Sequence, residues 1–325
     1  MSQPVVHPRA AADASDAAAA PARRPAACVG SNASANAAPA LTRRACALGL
    51  AALASGAAAA RAPSPRLITV GGSITEAVFA LGAQDQLVGT DTTSLYPAAA
   101  QATPKVGYMR QLSAEGLLAL RPNVVLALAG SGPPRVLTQL RSARVQVELI
   151  ERRHEWSDVV RTLQAAGQAT GRSAQAQALL AQLEQRWHSV RARIQAQTGP
   201  VPRVLFIMAH GGSPLVAGQQ TAAHAMLTLA GAQNVISGFN GFRPLTAESM
   251  AATAPQLIVT TTQSLQAVGG ETGFWQRPEL RLTPAWQRQQ SGRTALLHHD
   301  ALALLGFGPR LPQVLEALHQ GLQQA

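Results

Sequence analysis

The sequence predicts an α/β protein of two similar lobes with mainly parallel sheets, joined by one long connecting helix. Two stretches match each other at a fixed offset of 133 residues, and an internal repeat indicates a fold that is built twice. Strands alternate with helices in both halves, and a proline-poor segment with helical spacing separates them. We therefore expect the following organisation: a disordered leader with an export signal at 1–60, a Rossmann-like N-terminal lobe at 61–156, a connecting helix at 157–200 and a Rossmann-like C-terminal lobe at 201–325.

The repeat defines one unit that should occur in both lobes. It begins at Tyr108 in the first copy and at Gly241 in the second, and in both an Arg–x–Leu–Ser/Thr–Ala–Glu run leads to a proline and an apolar strand. Ser113 and Thr246 hold helix N-cap positions, and apolar residues on either side of each cap have the spacing of a hydrophobic staple. Two similar lobes predict a cleft between them.

The first lobe opens with an apolar strand at 66–70 that ends in two glycines. The run from Ser73 to Glu76 has the spacing of a capping box, which predicts a helix that begins at Ser73 and ends at Gly82. Residues 87–90 predict the next strand. This order of elements favours a largely parallel sheet.

The segment at 157–198 predicts the connecting helix. Its apolar residues keep helical spacing, and Gly167 and Gly171 are positions at which the helix could bend or break into a shorter and a longer piece. Two prolines end the segment, and the apolar run at 204–208 predicts the first strand of the second lobe, again followed by two glycines.

The first sixty residues indicate export. Residues 1–40 are dominated by Ala, Pro, Ser and Asn, and an arginine pair then precedes a short Ala-rich apolar stretch with an Ala-x-Ala exit. The pair partly matches a twin-arginine signal, so either that route or the general secretory route fits. Both cysteines, Cys28 and Cys46, precede the expected cleavage, so the mature chain would have no disulfide and no thiolate site.

The charge balance favours a small anionic ligand over a nucleic acid. The leader holds five of the 27 basic and two of the 16 acidic residues, which leaves 22 basic against 14 acidic residues and a net charge of +8 in the mature chain. The basic residues are scattered and are not interleaved with aromatic residues, as a nucleic-acid surface would require. A basic cleft would attract anions.

Two α/β lobes joined by a long helix resemble the helical-backbone class of periplasmic substrate-binding proteins, which serve ABC importers for metal chelates. Three stretches are most similar to the haem-binding members: Val106 to Gly116, Gly218 to Ala223, and Leu304 to Arg310. The resemblance implies a periplasmic monomer that is not an enzyme, with haem as its transported ligand. It also implies an inner-membrane ABC permease as partner and a TonB-dependent uptake system upstream.

In the resembled family, the tyrosine at the position of Tyr108 binds haem iron. Phenolate is a hard anionic donor that suits ferric iron. A nearby cation favours the charged form of such a donor, and Arg110 and Arg243 hold equivalent places in the two lobes. These arginines are therefore candidates for contacts to the phenolate or to the haem propionates.

His210 is a candidate second haem ligand, because it follows a predicted strand of the second lobe, at the kind of strand end where open α/β sheets bind ligands. Tyr108 and His210 could hold one iron from both sides, or each could hold one of two stacked haems. Glu115 and Glu248 recur in the two lobes, and the resemblance implies that they dock the permease. The helix dipole alone would also favour a carboxylate at these positions.

Two alternatives remain open at this stage. A siderophore or cobalamin carrier would share the fold, and such a chelate needs no axial ligand from the protein. An enzyme is disfavoured because the chain has no Gly-x-Ser-x-Gly elbow and no Gly-Lys-Ser/Thr phosphate loop. The run from His298 to Asp300 does not predict a metal site, because adjacent strand residues point to opposite faces.

Overall fold

The computed structural model describes residues 65–209, 214–246, 250 and 253–325. The predicted export signal and both cysteines lie outside the described residues, as do His210, the glycines that follow it, and Glu248. Within the described part of the chain, no helix combines the length and the apolar character that a membrane span requires.

The first half of the fold is a parallel sheet of four strands in the order β2-β1-β3-β4. The strands are β1 Leu67–Val70, β2 Leu87–Thr90, β3 Val124–Leu128 and β4 Gln146–Ile150. The helices between them are α1 Gly72–Ala80, α2 Ala114–Ala119 and α3 Pro134–Ser142. Short 3₁₀ turns lie at Gln84–Gln86 and Ala98–Ala102. Strand β1 is buried along its whole length, as expected for a central parallel strand covered on both faces.

The connection consists of two helices, α4 Trp156–Thr170 and α5 Ser173–Gln195. Gly171 lies between them in the left-handed conformation, so the break falls at one of the two predicted glycines, while Gly167 stays inside α4. The predicted long helix corresponds to α5, which has 23 residues. Trp156 and Trp187 stack with ring centroids 5.1 Å apart, and this contact packs α4 against α5.

The second half is a six-stranded sheet in the order β10-β9-β5-β6-β8, with β7 also paired to β5. Its strands are β5 Arg203–Met208, β6 Leu215–Ala217, β7 Gln233–Asn234, β8 Phe242–Pro244, β9 Leu257–Thr261 and β10 Leu296–His299. Strands β10, β9, β5 and β7 are parallel, whereas β6 and β8 form an antiparallel edge. The helices are α6 Ala222–Leu229, α7 Thr262–Ala267, α8 Gly270–Trp275, α9 Pro284–Gln290, α10 Ala301–Leu305 and α11 Leu311–Gln324, with a 3₁₀ turn at Pro278–Leu280. The predicted α/β class with mainly parallel sheets is confirmed.

The internal repeat is visible in the structure. Strands β3 and β9 begin and end 133 residues apart, the offset seen in the sequence. The Ser113 hydroxyl accepts the Gly116 N–H at 3.4 Å and caps α2, as predicted. Leu112 and Leu117 are both buried in one cluster, and the equivalent Leu245 and Met250 are both buried in another. The apolar pair that flanks each predicted cap is therefore buried in both halves, and the cap at Thr246 stays a prediction.

The predicted capping box at Ser73 is wrong. Helix α1 begins at Gly72 with Gly71 as its N-cap, and the φ angle of Gly71 is 123°, a conformation that a residue with a Cβ rarely adopts. Ser73 therefore lies in the first turn of the helix, and the Glu76 side chain binds Arg310 in the other half instead of reaching back to a cap. The helix does end at Leu81–Gly82, as expected.

The apolar core continues from one half to the other. One cluster joins β1 and α1 to the connecting helices, to β5 and to the C-terminal helices α10 and α11. Gly308 lies so close to Ser73 that a Cβ atom at Gly308 would come within 3.2 Å of the serine Cβ. The segment from Leu304 to Arg310, which resembles haem-binding proteins, thus forms part of the junction between the halves. The proposed lobe boundaries themselves remain predictions.

Candidate functional site

Tyr108 lies in the loop between the 3₁₀ turn at Ala98–Ala102 and helix α2. The Thr92 N–H donates to the Gly107 carbonyl at 3.0 Å, and the Gln111 N–H donates to the Tyr108 carbonyl at 2.8 Å. The tyrosine is 44% exposed, and among the described residues its hydroxyl has no hydrogen-bond partner. The loop therefore has an anchored backbone and presents a phenol that is free to bind a ligand.

A second set of backbone hydrogen bonds ties this loop to the segment that follows β3. The Gly132 N–H donates to the Met109 carbonyl at 2.9 Å, and the Leu112 N–H donates to the Gly132 carbonyl at 3.0 Å. The loop is consequently held against the carboxyl ends of β2 and β3. Ligands of open α/β sheets bind outside this end of the strands.

A cavity of about 350 Å³ lies beside this loop and is bounded by both halves of the fold. Leu95, Met109 and Leu128 contribute apolar surface from the first half, and Leu302 and Leu305 contribute it from the second. Met109 directly follows Tyr108 in the chain, and Tyr108 itself is not among the residues that line the cavity. The volume falls in the range of small-molecule sites, roughly 300–1,000 Å³.

Arg152 also lines this cavity. Arg152 is exposed when its whole surface is considered. Its guanidinium is nevertheless partly desolvated by surrounding atoms, and this desolvation lowers the pKa of Arg152. The charge of Asp158 acts in the opposite direction, whereas the charge of Arg110 lowers the pKa further.

Arg152 was missed in the sequence because it belongs to no motif. Strand β4 ends at Ile150, so Arg152 follows the carboxyl end of a parallel strand by two residues. This is the same position rule that drew attention to His210. Applied to every strand of the first sheet, the rule would have found Arg152.

Another cavity, of about 390 Å³, lies on the side of the connecting helices. Two arginines line it, but both are already paired. Arg186 binds Glu316 at 3.0 Å, and Arg310 binds Glu76 at 3.0 Å. Because its cations are neutralised within the protein, this cavity is less suited to an anionic ligand than the one beside Tyr108.

Arg243 lies on the edge strand β8, opposite Val216 of β6. Its guanidinium sits 4.5 Å from the centre of the Phe239 ring, a cation–π distance. Among the described residues it has no carboxylate partner. The structure therefore holds Arg243 by an aromatic ring, and its predicted contact with a phenolate or a propionate stays a prediction.

Glu115 is exposed in the first turn of α2, as predicted. Its counterpart Glu248 and the candidate ligand His210 lie outside the described residues. Asp300 caps α10 by accepting the Ala303 N–H at 2.9 Å, and it also binds Arg310. No group of three or more potential metal ligands occurs within the described part of the chain.

Comparison with known proteins identifies the family. The model of the periplasmic binding protein family matches residues 67–291. The chain belongs to the periplasmic binding protein family. Its members bind solutes and are not enzymes, which agrees with the absence of a catalytic motif in the sequence. Binding proteins of this kind work with the permease of an ABC transporter.

Several solved periplasmic binding proteins resemble this one along most of their length. The haem-binding protein BhuT, solved with two haems, is 42% identical with a TM-score of 0.74, and the match covers 80% of this chain and 98% of BhuT. The haem-binding protein RhuT from Roseiflexus sp. RS-1 is 33% identical with the same score and coverages. A haem-binding protein from Pseudomonas aeruginosa is 36% identical with a TM-score of 0.70, covering 80% of this chain and 92% of that protein.

Two further relatives are less similar in sequence. The vitamin B12-binding protein of Yersinia pestis is 27% identical over 237 residues, which cover 71% of this periplasmic binding protein and 82% of the relative. An uncharacterised substrate-binding lipoprotein of Bacillus subtilis is 25% identical over 199 residues, and that match spans 60% of this chain and 63% of the lipoprotein.

Proposed function

We propose that this protein captures ferric haem in the cavity between its two halves and delivers it to an ABC permease. The observation that carries this proposal is an apolar cavity with an arginine at its wall, next to a loop that carries an exposed tyrosine directly before the cavity-lining Met109. Haem has the complementary chemistry: an apolar macrocycle, two carboxylates and an iron that accepts an axial donor. The similarity to three solved haem-binding proteins at 33–42% identity supports it.

Tyr108 supplies the axial donor in this proposal. Its hydroxyl forms no hydrogen bond within the described residues, so iron binding would displace no interaction inside the protein. The backbone hydrogen bonds of Gly107 and Met109 hold the loop in place, which limits the entropy lost when the ligand binds. Arg110, two residues further on, adds a positive charge that favours phenolate.

His210 remains a candidate second ligand. It follows β5, whose carboxyl end lies at the same kind of sheet edge as the Tyr108 loop. Two arrangements are compatible with this position: one haem held from both sides, or two stacked haems with one protein ligand each. The stoichiometry of hemin binding to the wild type and to His210→Ala separates them, because only the two-haem arrangement loses one equivalent in the variant.

Export and docking complete the proposed function. The protein would reach the periplasm through its N-terminal signal, receive haem from a TonB-dependent system and act as a monomer. Glu115 and Glu248 would meet basic residues of the two permease subunits. Complementary charges of this kind set orientation and association rate more than affinity. The exposure of Glu115 supports such a role.

A cobalamin carrier is the second candidate, supported by the vitamin B12-binding relative. Parallel titrations of the purified protein with hemin and with cyanocobalamin distinguish the two ligands. We expect saturable hemin binding with the absorbance spectrum of a phenolate-bound ferric haem, and no competition by cyanocobalamin. Saturable binding of cyanocobalamin without binding of hemin would replace the haem proposal by the alternative.

A further inference from the structure

We propose that Arg152 is the residue of the cavity that recognises a carboxylate of the ligand. The inference rests on the proposed function, since it assigns the subsite for one haem propionate. Arg152 lines the cavity itself. The positive charge of Arg110, which lies on the Tyr108 loop, lowers the pKa of Arg152. An unpaired positive charge at a cavity wall attracts an anion.

The neighbouring carboxylate of Asp158 is engaged elsewhere and forms no ion pair with Arg152 among the described residues. Asp158 accepts the backbone N–H groups of Arg153 and His154 at 3.0 and 2.6 Å, and it also binds the Arg161 side chain. Asp158 also accepts the Glu155 N–H at 3.2 Å, a bond of the capping box at the start of α4, and its side chain is buried. The loop that carries Arg152 is thus fixed by Asp158, while the charge of Arg152 keeps no ion-pair partner among the described residues.

A second carboxylate near the cavity is also fully engaged. Asp91 is completely buried and accepts hydrogen bonds from the Gly71 N–H at 3.0 Å, the Thr93 hydroxyl at 2.6 Å and the Ser94 hydroxyl at 2.7 Å. It therefore stabilises the cavity wall without offering a partner to Arg152. Within the described residues, the unpaired charge at this cavity is positive.

The remaining wall of the cavity determines how a ligand can lie. Leu302 and Leu305 come from the second half and face a site whose charges come from the first half. An amphipathic planar ligand would place its apolar body between the leucines and Met109, and its carboxylate on Arg152. A guanidinium holds a carboxylate through two parallel hydrogen bonds, which a lysine cannot reproduce.

The test compares two ligands and three variants. Hemin and its dimethyl ester, which lacks free propionates, are titrated into the wild type, Arg152→Gln, Arg152→Lys and the control Arg153→Gln. Arg153 is the next residue and is exposed; its backbone N–H, and not its side chain, binds Asp158, so a change of its side chain leaves the loop intact. Loss of one charge-assisted contact should weaken hemin binding about tenfold or more in Arg152→Gln.

We expect Arg152→Lys to be intermediate, Arg153→Gln to equal the wild type, and the ester to bind the wild type and Arg152→Gln equally. The phenolate-type spectrum should persist in every variant, because the axial ligand is unchanged. Wild-type hemin affinity in Arg152→Gln, or an equal loss for hemin and the ester, would overturn the assignment while leaving the proposed function intact. Failure of the wild type to bind either porphyrin would refute the proposed function, and this assignment with it.

Discussion

Replacement of Arg310 by alanine should destabilise the protein by removing the ion pair that joins its two halves. Glu76 on α1 is 4% exposed, and both of its carboxylate oxygens bind Arg310. One accepts the Arg310 backbone N–H at 3.1 Å, and the other accepts the side-chain Nε at 3.0 Å. The guanidinium also binds Asp300 at 3.2 Å and lies 3.6 Å from the centre of the Tyr96 ring.

The size of the effect follows from what Arg310→Ala leaves behind. Breaking a buried ion pair by removing one partner costs about 3–5 kcal/mol, because the other charge stays buried without compensation. The backbone N–H of residue 310 would still bind Glu76, so we expect the lower end, about 3 kcal/mol. At about 2–4 °C per kcal/mol for a chain of this size, the midpoint of thermal unfolding should fall by about 6–12 °C.

The loss should depend on pH. Burial raises the pKa of Glu76 above its usual value of 4.5, and hydrogen bonds and charge from Arg310 counteract that rise. A carboxyl group with a raised pKa contributes stability that is present below 4.5 and lost as pH rises through the folded-state value. Without Arg310 the pKa of Glu76 rises further, so the stability gap between wild type and Arg310→Ala should widen from about pH 4 to pH 7.5.

Thermal and urea unfolding of the wild type, Arg310→Ala and the double variant Glu76→Gln, Arg310→Ala provides the assay. The double variant removes the uncompensated charge, so it should be more stable than Arg310→Ala at neutral pH. A double variant no more stable than Arg310→Ala, together with a loss that does not change with pH, would show that the Glu76 charge is not the cause.

The ligand and docking proposals each make a measurable prediction. Tyr108→Ala should abolish most hemin binding whereas Tyr96→Phe should not, and a Tyr108→Ala protein with wild-type affinity and spectrum would exclude the axial role. Arg243→Ala should weaken hemin binding less than Tyr108→Ala and move the onset of the phenolate-type spectrum to higher pH, which an unchanged spectrum between about pH 6 and 9 would contradict. The double variant Glu115→Ala, Glu248→Ala should keep its hemin affinity but impair transport in reconstituted vesicles, and normal transport at physiological salt would leave only the helix-dipole explanation.

Local signals in the sequence predicted local structure well. Three predicted features are as expected: the cap at Ser113, the buried pair Leu112 and Leu117, and the bounds of β2. Each of them depends on residues that are close together in the sequence. The break at Gly171 follows the same logic, since a left-handed residue ends a helix wherever the chain must turn.

Long-range partners account for the failures. Ser73 and Glu76 have the spacing of a capping box, yet Glu76 pairs with Arg310, which lies 234 residues away in the chain. No window of local sequence contains that partner. Arg152 belongs to no motif, and the cavity that it lines is completed by Leu302 and Leu305 of the other half.

The repeat explains why the proposed site is asymmetric although the fold is duplicated. Gly241 stands where the first copy has Tyr108, and its φ angle of 79° is one that a tyrosine would adopt only with strain. The Gly218 N–H donates to the Gly241 carbonyl at 2.8 Å and the Gly241 N–H donates to the Gln219 carbonyl at 2.9 Å, so the antiparallel edge of the second sheet holds this conformation. The second half therefore cannot supply an equivalent phenolate from this position. Any donor it contributes to the iron must come from another strand end, and His210 after β5 is the residue that the proposal places there.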